Sequence, residues 1–193
     1  MAEHGRWSAF VDESESNQRA DPDVYLLGAA LVPKHSYEVA RAAMESLRLP
    51  GQRKLHWHTE DAPRRRLIAA TIAELDVLHM VVVRDCQKDE RPERRRRKCM
   101  ERLLHEVDIR GVDLVHCESR EPKQNGQDRE LLQRMRSRKM IGPTLRMAHP
   151  PGPKEPALWL ADAVVGAVVA ARLGVPEYQG MLEGALDLII IES

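Results

Sequence analysis

The segment WSAFVDES, Trp7–Ser14, carries the decision about fold. It is short, apolar through Ala9, Phe10 and Val11, and it stops on two acids, Asp12 and Glu13. A run this brief, bounded by polar residues, reads as a strand whose carboxyl end opens to solvent. Beyond it, the polar stretch from Glu15 to Asp23 leads to a second apolar run, VYLLGAALVP, at Val24–Pro33. The two fit the arms of a hairpin with a long loop.

Outward from this pair the chain alternates between two periodicities. Tyr37 to Leu47 sets Val39, Ala40, Ala43, Met44 and Leu47 at helical spacing, and Pro63 opens a second helix with Leu67, Ile68, Thr71, Ile72 and Leu75 on one side. Val77 to Asp85 is rich in β-branched residues and reads as a strand. Pro92 begins a helix with Cys99, Met100, Leu103, Leu104 and Val107 facing inward and Gly111 as its stop. Val112 to Ser119 reads as another strand, Asp128 as the cap of a helix running to Lys139, Thr144 to Ala148 as a short strand, and Leu186 to Ile191 as a final one. The last long helix runs from Ala157 to Arg172, with Pro156 in its first turn and Gly174 as its C-terminal cap. Strands and helices interleaved in this way imply an α/β fold, a mixed β-sheet flanked by helices.

With 193 residues, 42% hydrophobic and 31% charged, the expectation is one domain over residues 1–193 with a true core, not a disordered chain. Thirty basic side chains balance thirty acidic ones, so electrostatic function has to be local. Three widely spaced cysteines, Cys86, Cys99 and Cys117, without a CxxC pair, indicate neither a disulfide framework nor a zinc ribbon. The residues Met1 to Arg6 do not read as a secretory leader, and a cytoplasmic location is expected. The longest apolar run, Ala163 to Ala171, falls short of the roughly 20 residues a membrane span takes, so no membrane partner is expected.

Asp162 is the anomaly of the last helix. Leu158, Val165 and Val169 flank it on one side and Trp159 and Gly166 on the other, so a carboxylate emerges from an apolar stripe. Such a charge needs a cation, a metal or a cleft. Asp12 and Glu13 end the first strand, and because successive strand side chains alternate, only one of them can share a given face. Glu118 ends a later strand in the same manner, followed by Ser119 and Arg120. Ligands gather at the carboxyl ends of strands in open α/β sheets. Carboxylates gathered there repel one another unless hard divalent cations lie between them, and two magnesium or manganese ions about 4 Å apart are the arrangement suited to phosphodiester hydrolysis. The plainer alternatives are a strand-end turn for Asp12, an arginine partner for Glu13 and Asp162, and an Arg120 bridge for Glu118.

Lys54, His56 and His58 share one face if their segment is extended, with Leu55 and Trp57 on the other. A lysine or histidine there suits a phosphate contact or a proton relay to a leaving oxygen; the alternative is half-exposed polar residues on an edge strand. Glu155 and Asp128 read as helix N-cap carboxylates. Between Arg91 and Arg102 seven basic residues face two acids, and between Arg129 and Arg146 six face one. With only seven aromatic residues, base stacking is scarce, which favours contact with a nucleic-acid backbone, RNA or DNA, over sequence readout.

The strand ending Asp12-Glu13-Ser14, the glycine-bearing Tyr25 to Pro33, Lys54-Leu55-His56-Trp57, Glu118-Ser119-Arg120 and Leu160-Ala161-Asp162-Ala163 together resemble the bacterial and archaeal family called domain of unknown function 3800. The likeness covers most of the chain and rests on the order of its motifs. It implies a ribonuclease H-like fold with acids on the first strand, a later strand and the last helix, binding two metal ions. By that resemblance Asp12 is the first-strand ligand with Glu13 beside it, Asp162 matches the C-terminal aspartate, and Glu118 fits by position. Trp159 stands where the family commonly has glutamine. The expectation is a Mg²⁺- or Mn²⁺-dependent nuclease: Asp12, Glu118 and Asp162 as ligands, Glu13 beside them, and Lys54 and His56 at the phosphate or leaving group. The alternative is a non-catalytic nucleic-acid- or partner-binding module on the same scaffold. A strand-transfer enzyme uses similar acids, but usually brings DNA-binding domains for which this chain has no room.

Overall fold

A computed structural model describes residues 7–15 and 20–192. The stretch 1–6 and part of the hairpin loop lie outside the described residues. Six strands, β1 (Trp7–Glu15), β2 (Val24–Pro33), β3 (Leu78–Asp85), β4 (Val112–Cys117), β5 (Arg146–Ala148) and β6 (Leu186–Ile191), form one sheet in the order β5-β4-β1-β2-β3-β6. β1 and β3 each pair antiparallel with β2, whereas β4 joins β1, β5 joins β4 and β6 joins β3 in parallel. Among the described strands only β2 therefore runs against the others, and the carboxyl ends of β1, β3 and β4 emerge on one rim. The helices are α1 (Tyr37–Leu47), α2 (Ala62–Ala73), α3 (Pro92–Ile109), α4 (Pro122–Ser137), α5 (Leu158–Arg172) and α6 (Glu177–Leu182). The mixed sheet flanked by helices expected from the sequence is what the chain adopts.

β2 is buried along its whole length because helices cover both faces of the sheet, which is why its sequence is a continuous apolar run without alternation. On one face Phe10, Leu26, Ala30, Val81 and Val83 pack with α1, α2, α5 and α6. On the other, Ala9, Val11, Leu27, Met80 and Val82 pack with Cys99, Met100, Leu103 and Leu104 of α3 and Leu131, Leu132 and Met135 of α4. Each Val, Leu, Phe or Met among them, fully buried, contributes about 1.5–3 kcal/mol of transfer free energy. α5 is apolar nearly all round because it is enclosed by the sheet, α2 and α6.

Two glycines set how deeply α5 sits. A Cβ at Gly28 would lie 2.2 Å from Val165 Cγ2, and one at Gly166 would lie 2.1 Å from Trp57 Cδ1. Bare backbone at these points lets α5 settle on β2 and lets the Trp57 ring settle on α5. Gly28 pairs directly with Asp12 across the strands, so the close approach occurs beside the acid.

Several expected boundaries shift. α4 starts at Pro122, with the Gln124 side chain accepting from the Glu121 N–H at 3.4 Å, so Asp128 is not its cap. Asp128 is instead buried within the helix, where two arginines hold it. Glu155 accepts from the Ala157 N–H at 3.3 Å, near the start of α5, but also from Tyr37 Oη at 2.7 Å, and it pairs with Arg41. Residues 54–58 are not an edge strand: Leu55 and Trp57 are buried as alternation predicts, but the chain turns into a 3-10 turn at Trp57–Thr59 and forms no part of the sheet among the described residues. The six-residue α6 is too short to leave a readable period.

Candidate active site

β1 and β4 are parallel neighbours, so Asp12 near the end of one and Glu118 just past the end of the other arrive on the same rim. Phe10 and Asp12 share a face of β1, and Phe10 packs in the core formed with α5. Asp162 comes from the second turn of that helix, over β1 and β2. Three separate stretches thus bring Asp162 and Glu118 within electrostatic reach of Asp12. Surrounding protein, and then the charges of Asp162 and Glu118, push the Asp12 carboxyl up from its ordinary value to about 7, against a lowering contribution from the Glu13 N–H and Lys54. The Glu13 N–H donates to Asp12 Oδ1 at 2.9 Å. Among the described residues no cationic side chain lies within ion-pair distance of Asp12.

The other two acids have cationic partners. Lys54 Nζ donates to both oxygens of Glu118, at 2.9 and 2.7 Å, and Gly152 makes room for that carboxylate, since a Cβ there would lie 2.2 Å from Glu118 Oε1. Asp162 accepts from the Trp57 backbone N–H at 2.7 Å and faces His56 Nδ1 at 3.2 Å. The hydrogen bond to Asp162 raises the His56 pKa above its ordinary value, outweighing partial burial. His58 is exposed, and its carbonyl accepts from Arg65.

Glu13 is not part of this group. Strand alternation turns its side chain to the α3 face, where Oε2 accepts from Tyr25 Oη at 2.8 Å and from Arg96 Nε at 2.5 Å. Arg96 is itself buried and continues to Asp128, which also meets Arg120 at 3.3 Å and His149 at 3.4 Å. This network braces the end of β1 against α3 and α4. No sequence motif signals it, because its members come from segments scattered between Glu13 and His149. The Trp57 N–H on Asp162 was equally invisible, since it depends on where the chain turns.

Among the described residues no three His, Cys, Asp or Glu side chains converge closely enough to form a ready-made metal site. The donors nevertheless suit a hard divalent cation: carboxylate oxygens throughout, one of them crowded by two like charges. Lys54, and His56 when it is protonated, supply positive charge of the kind such an ion would otherwise bring. A cavity of about 260 Å³ at the rim is lined by Asp12, Glu118, Arg96 and Arg120, and a groove of about 490 Å³ runs along α5 past His56, Arg65, Asp162 and Val169. No described helix is long and apolar enough to cross a membrane.

No protein-family profile and no curated protein matches the chain. One solved structure similar to it is the crystal structure of a mutant of Bst-RNase HIII, at 14% identity and a TM-score of 0.49, over 94% of this chain. The chain spans 56% of the length of that protein. At this identity no residue inherits a role from it.

Proposed function

We propose that this chain is a metal-dependent nuclease of ribonuclease H-like architecture, related to the domain of unknown function 3800 family and acting on the phosphodiester backbone of RNA or DNA. The observation that carries the reading is the Asp12 carboxyl, crowded by Asp162 and Glu118 and, among the described residues, with no cation at ion-pair distance. Asp12, Glu118 and Asp162 are the residues that would hold Mg²⁺ or Mn²⁺. Divalent ions at such a site supply activation of a water and charge stabilisation at the departing oxygen. With Nδ1 held at Asp162, the imidazolium of His56 offers its Nε2 proton to a leaving oxygen. Were Glu118 to hold a metal ion, Lys54, which now donates to both of its oxygens, would be free to contact a phosphate. The α5 groove, with Arg65 on its wall, is the path we assign to the strand.

The test is cleavage of labelled RNA and DNA panels with Mn²⁺ by the wild-type, Asp12→Asn and Asp162→Asn proteins, with circular dichroism as the folding control. Loss of turnover by at least a hundredfold in both variants is expected; undiminished metal-dependent turnover in both would overturn the reading. One observation favours the second reading, a binding module without chemistry: Lys54 holds both oxygens of Glu118. On that reading nucleic acid binds equally with and without Mn²⁺, Asp12→Asn changes nothing, and no cleavage is seen.

A further inference from the structure

The face of the sheet opposite α5 carries a cleft of different character. It lies between α3 and α4, encloses about 350 Å³, and is lined by Arg91, Arg94, Arg97 and Arg134, with Arg96 and Asp128 also in its wall. Arg94 and Arg97 are three apart on α3, Arg91 is the extended residue that caps the start of that helix, and Arg134 approaches from α4. We propose that this cleft is a binding site for phosphate oxyanions, distinct from the carboxylate cluster and independent of the nuclease reading.

The state of the charges supports it. The buried Arg96 is committed to Glu13 and Asp128, and Asp128 and Glu93 are themselves engaged by Arg120, which stands outside the cleft lining. Asp128 and Glu93 are therefore answered from behind, while the exposed Glu130 also lines the cleft, so three acids stand against the five arginines of the lining. At the rim the opposite holds. Among the described residues no carboxylate lies within ion-pair distance of Arg91 or Arg134, Arg97 has only Glu101 at 3.9 Å, and Arg94 reaches Glu90 from a largely exposed position. A solvated arginine row on a helix needs no facing partner, but here a second helix adds, across a half-open cleft, a guanidinium with no carboxylate partner among the described residues. The volume of the cleft falls near the lower end of small-molecule sites, about 300–1,000 Å³. Guanidinium forks match phosphate oxygens in pairs. No aromatic ring lines the cleft, so the recognised feature is the charged group and not a base.

Pyrophosphate or the polyphosphate tail of a nucleotide meets this description, as does a segment of nucleic-acid backbone; the shared chemistry is a run of phosphate oxyanions. The full chain in a metal chelator is titrated with pyrophosphate by calorimetry, and with a fluorescent single-stranded oligonucleotide by anisotropy, at physiological ionic strength. The same titrations are run on Arg91→Gln/Arg134→Gln and on Asp162→Asn. At least a tenfold loss of pyrophosphate affinity in the double variant, with Asp162→Asn unchanged, is expected. If the oligonucleotide competes with pyrophosphate and loses affinity in the same variant, the phosphates belong to a backbone; if it does not compete, they belong to a small polyphosphate. Either result supports the site. Wild-type protein that takes up no pyrophosphate at millimolar concentration, or a folded double variant that binds as tightly as wild type, overturns it. Because both substituted side chains are exposed, circular dichroism is expected to be unchanged.

Discussion

At Asp12 two local facts act in the same direction: protein displaces water around the carboxyl, and two further carboxylates face it. The proton consequently stays on in the folded chain between the ordinary carboxyl range and about pH 7, while the unfolded chain has already released it. The stabilisation from this group is complete below pH 3.8 and is lost as pH rises through 7. In a metal chelator at pH 8, Asp12→Asn is therefore expected to raise the urea-unfolding free energy by roughly 2–4 kcal/mol, with no difference at pH 4. An unchanged or lower stability of the variant at pH 8 would show that the carboxyl is not crowded. At this scale the sequence was readable where a charge broke an apolar pattern, as Asp12 and Asp162 do. It was silent where a partner lies far along the chain, as Lys54 does from Glu118, and it left Glu13 undecided until the strand register assigned it a face.

At the scale of elements, the position of α5 depends on missing side chains. Gly28→Ala drives a methyl against Val165, and overpacking of this kind costs about 1–3 kcal/mol. Adding Val165→Ala removes the obstructing methyl groups, so the double variant is expected to be more stable than the sum of the two single losses implies, by about 1 kcal/mol or more in denaturant melts. Strict additivity would mean that α5 is not seated on Gly28. Long elements were legible from sequence because their period repeats: α3, α5 and the strands β1 to β3 appear where hydrophobic spacing put them. The short strands β5 and β6 also appear where the sequence suggested them, β6 with the same bounds, but α6 and the locally capped start of α4 did not show. The start of α4 depends on a Glu-Pro pair with Gln124 three residues on, a weaker signal than the aspartate that drew attention to residue 128. Residues 54–58 kept the alternation of a strand without the neighbour that would have made them one.

For the whole molecule, local pattern gave the class of fold but not the order of its strands. That order requires the chain to carry β4 back beside β1 after β3 has been laid down, and only long-range packing decides it. The result is two cores, one on each side of a shared sheet, and they differ in what they enclose. The core under α3 and α4 holds Cys99 and Cys117, whose thiols burial pushes up to about 12, whereas Cys86 stands partly open at the end of β3. Enclosure of this kind makes those two sulfurs a built-in chemical clock. A disulfide reagent added to the native protein is expected to consume one equivalent promptly and the remaining two only at the pace at which the sheet parts from its helices; three prompt equivalents would mean that this half of the molecule breathes far more freely than its packing implies.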